Sequence, residues 1–491
     1  MKTGFDNAKY LKMQYEKIQE RIEMFDSKLY LEFGGKLFDD YHASRVLPGF
    51  EPDAKLQILQ QLKEDLEVVF CINASDIEKN KVRADYGITY DMELLRLIEK
   101  FQGLGITING VVITLYTGQT SVDKLRKILA QKQIKTYIHK PTKGYPTNVD
   151  LIVSDEGYGQ NEYIETTKKL IVVTAPGPNS GKLATCLSQL YHEYKRGIKA
   201  GYAKFETFPV WNLPLKHPVN VAYEASTADL NDINMIDAFH LDAYGKSAVN
   251  YNRDLATFPI LKNILHKIIG KDMYQSPTDM GINVVGSCIT DDAIVCEAAN
   301  QEIIRRYFKE NCSYKLGTVP QEVPNRIKVL MNELGIQTRM REVVEPARKK
   351  SEREKVDVIA LKLPNGKVIT GKRTKLLTPA SSVMINAIKE LTKIEDEVFL
   401  LSPAVLEPIR KLKKKTLYHK SKTLNLQEVL IALSICSATN PIIVKAINNL
   451  DKLAHCEAHS SYLIDSTEAQ IFKNLGIYLT CDPNFSIGLT L

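Results

Sequence analysis

Short apolar runs alternate with amphipathic stretches along the first part of the chain. The runs have the length of buried strands: KLYLEF (28–33), LEVVFCI (66–72), VVITLY (111–116), TYIH (136–139), LIVS (151–154) and LIVVTA (170–175). Between them, apolar positions recur at helical spacing in 8–25, 91–101 and 121–132. Continuous apolar strands that alternate with helices are typical of a parallel sheet covered on both faces. The pattern predicts a doubly wound, mostly parallel α/β domain over residues 1–225.

Strand patterns become rare after residue 225. Helical spacing predominates in 232–244, 258–269 and 291–308, which predicts a helical middle domain over 226–335. Both types of pattern return in the last part of the chain, which predicts a C-terminal α/β domain over 336–491.

The C-terminal domain is expected to begin with a β-hairpin. Asn365-Gly366 lies between two apolar runs, and such a turn requires positive φ at both central residues. The other elements expected there are helices at 381–393, 425–437 and 442–449, and strands near 397–401 and 477–480.

Charge and composition narrow the range of partners. The net charge of +7 is concentrated in the runs 347–355 and 410–415, which are typical of solvated faces. A nucleic-acid-binding module is not recognisable, so nucleic acid is not an expected partner. No apolar run approaches the roughly 18 residues of a membrane-spanning helix, and the first residues lack the apolar segment of a signal peptide. We therefore expect a cytoplasmic protein without a membrane partner.

The cysteine pattern indicates reduced thiols. Eight cysteines are scattered singly in apolar segments, and no CxxC pair occurs. His455 to His459 has a spacing that superficially resembles metal ligands, but the downstream half of the zinc-deaminase signature is missing. The sequence therefore predicts no metal site, and zinc-deaminase chemistry is disfavoured.

The main functional signal is the segment LIVVTAPGPNSGKLATC at 170–186. A predicted strand is followed by a loop rich in Pro, Gly and Ser, and Gly181-Lys182 opens an amphipathic helix. This arrangement directs free backbone N–H groups and the positive end of a helix dipole at one place, where a phosphate binds well. The predicted ligand-binding residues of this P-loop-like turn are Gly177, Asn179, Ser180, Gly181, Lys182 and Thr185.

The segment departs from a true P-loop at two positions. Pro176 stands where the first glycine belongs, and Leu183 stands where Ser or Thr would bind magnesium. Thr185 or Ser180 would have to reach the ion instead. Three interpretations therefore stay open: anion or phosphate binding, a true nucleotide triphosphatase, and a structural loop that caps the helix.

Two further clusters are expected near the same edge of the sheet. Gly34, Gly35 and Lys36 form a second glycine-rich turn after the first strand, where ligands bind in open α/β folds. The polar run 240–254 contains Arg253, which can grip a phosphate. The same run offers the following candidate bases or metal ligands: Asp242 and Asp254. A solvated turn and an interdomain hydrogen-bond network are the respective alternatives.

Four segments together resemble one bacterial family: 30–50, 175–197, 248–254 and 459–483. It is a full-length UPF/DUF family of unknown function that is common in Firmicutes and Actinobacteria. The resemblance implies an N-terminal nucleotide-binding-like α/β part, a helical middle segment and a C-terminal α/β domain with deaminase-like topology. Some members carry the label "ATP-dependent peptidase", but this chain shows no GxSxG, HExxH or credible Ser-Lys pair, so peptidase activity is disfavoured.

The sequence favours an enzyme that binds a small phosphorylated molecule or a nucleotide. Lys182, Arg253, Asp242 and Asp254 are the candidate catalytic residues, and ATP or another nucleotide with magnesium is the cofactor class considered. Phosphoryl transfer, nucleotidyl transfer or ATP-linked ligation would fit. The alternative is a non-catalytic ligand-binding or assembly protein with a structural P-loop-like turn, and homo-oligomerisation is left open.

Overall fold

A computed structural model of the chain describes residues 2–25, 28–83, 87–418, 421 and 423–487. The chain divides into two compact units, Met1–Asn300 and Gln301–Leu491. Each unit has a sheet and a buried apolar cluster of its own. Among the described residues, no helix combines the length and the apolar character needed to cross a bilayer.

A large parallel sheet forms the centre of the first unit. Its strands and two short antiparallel pairs are β1 (Lys28–Phe33), β2 (Leu66–Asn73), β3 (Val82–Arg83), β4 (Ile88–Thr89), β5 (Thr107–Thr114), β6 (Lys135–Ile138), β7 (Leu170–Thr174), β8 (Ala200–Phe205), β9 (Asn234–Ile236), β10 (Val249–Tyr251) and β11 (Gly281–Ile282). Among the described residues the sheet has seven strands in the order β11-β8-β1-β7-β2-β5-β6, and all of its pairs are parallel. The predicted α/β class with a large parallel sheet is confirmed.

Helices cover both faces of this sheet. The helices of this part of the chain are α1 (Asn7–Glu23), α2 (Tyr41–Val46), α3 (Ala54–Gln61), α4 (Ala74–Glu78), α5 (Tyr90–Gly103), α6 (Ser121–Gln131), α7 (Val149–Ile152), α8 (Lys182–Lys195), α9 (Pro218–Ser226), α10 (Ala238–Tyr244), α11 (Asn252–Ile269), α12 (Pro277–Met280) and α13 (Asp292–Lys315), and α13 contains the boundary between the units. Successive strand side chains point to opposite faces. Cys71 of β2 therefore packs towards α8, whereas Phe70 meets Phe101 of α5 edge to face at 5.5 Å.

The second unit is built on a mixed sheet in the order β13-β12-β14-β15. Its elements are α14 (Glu322–Glu333), α15 (Val344–Glu354), β12 (Val358–Lys362), β13 (Val368–Lys372), α16 (Pro379–Thr392), α17 (Pro403–Lys415), α18 (Leu426–Ser437), α19 (Pro441–Ile447), β14 (Glu457–Ser460), α20 (Ser466–Asn474) and β15 (Tyr478–Cys481). The β14–β15 pair is parallel, and β12 pairs antiparallel with both β13 and β14. Apolar side chains of α16, α18 and α19 cover this sheet.

Three predicted elements differ from the structure. LIVS at 151–154 is not a strand, because the Asn148 side chain accepts the Leu151 N–H at 3.0 Å and caps the short helix α7. The helix expected over 232–244 is divided between strand β9 and helix α10, because the Asp237 side chain accepts the His240 N–H at 3.0 Å and caps α10 from that residue on. No strand occurs in 397–401, where the side chains of Leu400 and Leu401 are buried from an irregular segment.

The predicted hairpin at Asn365-Gly366 is present, with a different turn. Strands β12 and β13 pair antiparallel on either side of it. Gly366 has φ of +84°, but Asn365 is not among the residues with positive φ. The Asn365 side chain instead accepts the N–H of Lys367 at 3.0 Å, which holds the residue in an ordinary conformation.

Candidate anion-binding site

The loop 175–181 joins the end of β7 to the start of α8, as the sequence predicts. Strand β7 lies between β1 and β2, and all three are parallel. The loop therefore leaves the sheet at its carboxyl edge, close to the middle of the sheet and beside the turn that follows β1. In open α/β folds this edge is where ligands bind.

Two glycines allow the loop to fold tightly against neighbouring elements. Gly181 is the residue before α8 and has φ of +81°, and a Cβ atom there would lie 2.9 Å from Thr114 of β5. At Gly177 a Cβ atom would lie 2.6 Å from the ring of Tyr90. Asn179 also has positive φ, of +54°, which asparagine tolerates better than most residues. The loop conformation thus requires the residue types that the sequence supplies.

Side chains from other elements hold the carbonyl groups of the loop. The donors lie after or at the ends of strands, and their bonds are Arg83 Nη1 to Pro176 O at 3.1 Å, Asn73 Nδ2 to Asn179 O at 3.4 Å, and Thr114 Oγ1 to Ser180 O at 2.7 Å. Sequence analysis missed all three donors, because only the tertiary fold brings them to the loop. These bonds use three carbonyl groups of the loop and none of its amide N–H groups.

Seven amide N–H groups of the loop and of the start of α8 lack an acceptor among the described residues. Within the described part of the chain, the N–H groups of Gly177 and of residues 179–184 donate to no backbone or side-chain oxygen. Gly181 precedes the helix and has no side chain that could cap it. The hydroxyl of Ser180 is buried and also has no hydrogen-bond partner among the described residues. Unpaired donors at a helix N-terminus attract an anion.

Lys182 and Thr185 occupy the first turn of α8 in different environments. Lys182 is half-buried and adds a positive charge at the helix N-terminus. Thr185 is buried, and its hydroxyl accepts a hydrogen bond from the thiol of Cys71 at 3.4 Å. Leu183 occupies the position where a P-loop has its magnesium-binding hydroxyl. The first turn therefore offers a cation and free N–H groups, and its one hydroxyl is directed into the core.

A charged cluster lies at the carboxyl ends of β1 and β8. Lys204 Nζ lies 2.5 Å from Asp254 of α11 and 2.9 Å from Glu206. Glu32 of β1 accepts a hydrogen bond from Tyr202 at 2.9 Å. The pKa of Glu206 is raised, because burial and the nearby Asp254 carboxylate outweigh the effect of Lys204. Burial alone would lower the pKa of Lys204, but the Asp254 and Glu206 carboxylates outweigh burial and raise it.

A charge of this cluster and a charge at the start of α8 both influence the thiol of Cys186. The thiol of Cys186, on α8, has a pKa raised first by burial and then by the Glu32 carboxylate, while Lys182 acts in the opposite direction. Lys182 lies one helical turn before Cys186 on α8, and β1, which carries Glu32, pairs directly with β7. Of this cluster, sequence analysis identified Asp254 alone. The signal it missed was the presence of Glu32 and Lys204 inside otherwise apolar strands.

The other predicted site residues have different surroundings. The N–H of Gly34 donates to Phe205 O at 3.3 Å, and Lys36 is half-buried. Gly35 has φ of +71° and lies beside Lys55, which forms a buried ion pair with Asp40 at 2.8 Å. The Gly34-Gly35 turn follows β1, the strand next to β7. The ion pair of Lys55 and Asp40 lies beside this turn.

Arg253 and Asp242 are more exposed. Arg253 is half exposed and lies 3.4 Å from Asp232 and 4.0 Å from Asp254. Asp242 is exposed on α10. A single cavity shared by Gly34, Gly35, Lys182 and Arg253 stays a prediction.

Comparison with known proteins assigns the chain to a family. The model described as "Domain of unknown function DUF1846, N-terminal" matches residues 3–335, and its C-terminal counterpart matches residues 339–488. A UPF0371 protein of Clostridium botulinum (strain Alaska E43 / Type E3) is 55% identical over 99% of this chain and 98% of its own length. Another, from strain Eklund 17B / Type B, is 56% identical over the same shares of both chains. The chain belongs to this DUF1846 family, which confirms the resemblance found in the sequence.

Proposed function

We propose that the loop 177–182 and the N-terminus of α8 bind a phosphate group of a small phosphorylated molecule or nucleotide. The observation that carries the proposal is the set of amide N–H groups from Gly177 to Ala184, Pro178 excepted, which have no acceptor among the described residues. Accessible N–H groups of this kind bond to water in the free protein, and a phosphate supplies several acceptor oxygens at once in place of that water. The Ser180 hydroxyl, for which the described residues offer no hydrogen-bond partner, adds a further donor.

Charge supports the same ligand class. Lys182 and the positive end of the α8 dipole both favour an anion at this place. Backbone N–H groups and one lysine are sufficient to neutralise a phosphate without a metal ion. Since the hydroxyl of Thr185 is directed towards Cys71, magnesium would have to be held by the ligand, water and a carboxylate from elsewhere.

The charged cluster favours transfer chemistry as the activity. Glu206, with its raised pKa, is a candidate proton donor or acceptor, and Asp254 is a candidate base or metal ligand. Phosphoryl or nucleotidyl transfer needs positioned positive charge and a group that accepts the proton of the attacking hydroxyl. Lys182 and these carboxylates would fill the two roles.

The alternative is a protein that binds the phosphorylated ligand without transforming it. The position of Leu183, in place of a magnesium-binding hydroxyl, is the observation that favours this alternative. Following ATP by phosphorus NMR over hours separates the two. Turnover by the wild type that is lost in Glu206→Gln, with phosphate binding retained, supports a transferase. Saturable binding of nucleotide without turnover supports the alternative.

Isothermal titration with inorganic phosphate, ADP, ATP and GTP, with and without magnesium, tests the binding itself. Lys182→Ala removes a charge-assisted contact worth about 1.5 to 3 kcal/mol, so affinity should fall by about 10- to 100-fold. Lys124→Ala is the matched control, because Lys124 is an exposed lysine in the first turn of α6, another helix that follows a strand of the same sheet. Equal binding by both variants, or no anion binding by the folded wild type, would contradict the proposal.

A further inference from the structure

In the first unit, a histidine, an aspartate and a cysteine lie close together. All three follow the candidate anion-binding loop 175–181 in the sequence. His217 lies directly before α9, and Asp292 and Cys296 lie one turn apart on α13. Their ligand atoms all lie within 4.8 Å of one another. Among the described residues this is the one group of three or more His, Cys, Asp or Glu side chains with such an arrangement.

The three side chains of this His217 cluster are close enough for one metal ion to contact all of them. His217 Nε2 lies 2.9 Å from Asp292 Oδ1 and 3.5 Å from Cys296 Sγ, and Cys296 Sγ lies 3.7 Å from Asp292 Oδ2. Tetrahedral zinc with ordinary Zn–N, Zn–O and Zn–S bond lengths places its ligand atoms about 3.3 to 3.6 Å apart. Imidazole, carboxylate and thiolate are all zinc ligands. The two distances from Cys296 lie close to this range, and the His217–Asp292 contact, a hydrogen bond in the metal-free protein, would lengthen by about 0.4 Å around an ion.

A catalytic Cys-His pair does not explain the cluster. In such a pair one ring nitrogen faces the thiol and the other faces the carboxylate. Here Asp292 and Cys296 both face Nε2, while Nδ1 accepts the N–H of Val219 at 3.2 Å. Burial and the Asp292 carboxylate raise the pKa of the Cys296 thiol to about 11, so the metal-free thiol is protonated and a poor nucleophile at neutral pH.

We propose that His217 Nε2, Asp292 and Cys296 Sγ bind a Zn²⁺ ion, with water at the fourth position. Asp292 is 68% exposed, which leaves that position open to solvent. On binding, the thiol loses its proton to solvent, and the neutral imidazole moves its proton from Nε2 to Nδ1. The Nδ1–H then faces the N–H of Val219, so these two donors must move apart as the ion binds. One proton is released to solvent for each ion bound, so zinc affinity should rise with pH.

Titration of the metal-free full chain with Co²⁺, a spectroscopic substitute for zinc, tests the site. The wild type should develop a sulfur-to-cobalt charge-transfer band at one equivalent, and Zn²⁺ should displace the cobalt. Cys296→Ser should abolish the band and weaken zinc binding by at least about 100-fold. Cys312→Ser is the matched control, since Cys312 lies on the same helix and outside the cluster, and it should behave as the wild type.

A second variant separates loss of a ligand from loss of the fold. His217→Asn removes the imidazole and keeps a side-chain oxygen that can accept the Val219 N–H, so α9 should stay capped. This variant should have the circular dichroism spectrum of the wild type and yet bind zinc at least about 100-fold more weakly. Cobalt bound without the charge-transfer band, or unchanged zinc affinity in either variant, would overturn the proposal.

Discussion

At the scale of single residues, the sequence motif predicts where the candidate loop lies. The side chains that hold the loop carbonyls are brought there only by the tertiary fold. Gly177, Gly181 and Lys182 lie where the P-loop-like spacing predicts, between a strand and a helix. Thr114 and Asn73, which hold the loop carbonyls, are at the ends of β5 and β2 and carry no local signal. Contacts between residues distant in sequence depend on strand order, which periodicity does not reveal.

Substitution of Gly181 tests whether the loop requires a residue without a Cβ atom at this position. Gly181→Ala would place a Cβ atom at positive φ and 2.9 Å from Thr114, so the free energy of unfolding should fall by about 2 to 4 kcal/mol. Gly197, at the other end of α8, also has positive φ, of +73°, but an added Cβ meets nothing within 4 Å. Gly197→Ala should therefore cost only about 1 kcal/mol. Urea denaturation that gave equal losses would disprove the close contact with Thr114.

A buried carboxylate in the second unit should make stability depend on pH. Arg348 donates to both oxygens of Asp482, and His459 Nε2 lies 3.3 Å away. Burial opposes ionisation of Asp482, but these partners outweigh it and lower the pKa from 3.8 to about 2. Because the folded pKa is depressed, the ionised group stabilises the fold by about 2 kcal/mol above pH 4, and this contribution disappears as the pH falls from 4 to 2.

The stability difference between the wild type and Asp482→Asn should accordingly shrink as the pH falls over that window. Urea denaturation at several pH values measures it. Asp451→Asn, at an exposed position of the same unit, is the control and should show a small difference at every pH. A difference that stays constant from pH 6 to pH 2 would show that Asp482 does not titrate with a depressed pKa.

At the scale of elements, long periodic segments were predictable and short ones were not. The strand predicted at 28–33 coincides with β1, and the helix predicted at 121–132 differs from α6 by one residue. LIVS at 151–154 has the apolar character of a strand, yet a capping asparagine makes α7. Strand β14 escaped prediction because its sequence, EAHS, has no apolar run. For such short segments, capping and sheet pairing outweigh local hydrophobicity.

The attachment of α8 to the sheet also depends on a buried ion pair. Glu193 near the end of α8 is fully buried and accepts hydrogen bonds from Lys28 at 2.9 Å and Tyr30 at 2.8 Å, both on β1. Glu193→Gln leaves the largely buried Lys28 charge without a counter-ion, although Lys28 keeps its hydrogen bonds to Thr166, so the free energy of unfolding should fall by about 3 kcal/mol. The exposed pair of Lys132 and Glu99 provides the comparison.

Glu99→Gln should change stability by less than about 1 kcal/mol, since exposed ion pairs contribute little. Thermal or urea denaturation of the two variants measures both effects. Similar losses for Glu193→Gln and Glu99→Gln would mean that the Lys28–Glu193 pair does not stabilise the attachment of α8.

At the scale of the whole molecule, strand order determines where the candidate site lies. The sequence indicated a parallel sheet but not that β7 is inserted between β1 and β2. That order brings the α8 loop to the middle of the carboxyl edge, next to the turn after β1 and near the charged cluster of β1, β8 and α11. The family match covers both units without assigning a reaction, so the function rests on the chemistry of this edge.

Hydrogen exchange of the loop amides, followed by mass spectrometry with and without saturating phosphate, tests the central claim most directly. The amide N–H groups of Gly177 and of residues 179–184 have no acceptor in the part of the chain that the structure describes, and they should exchange rapidly in the free protein. If they bind phosphate, a peptide covering this segment should become protected in the wild type and in Lys124→Ala, and much less so in Lys182→Ala at the same phosphate concentration. Exchange of this segment that is unchanged by phosphate in the folded wild type would contradict the account.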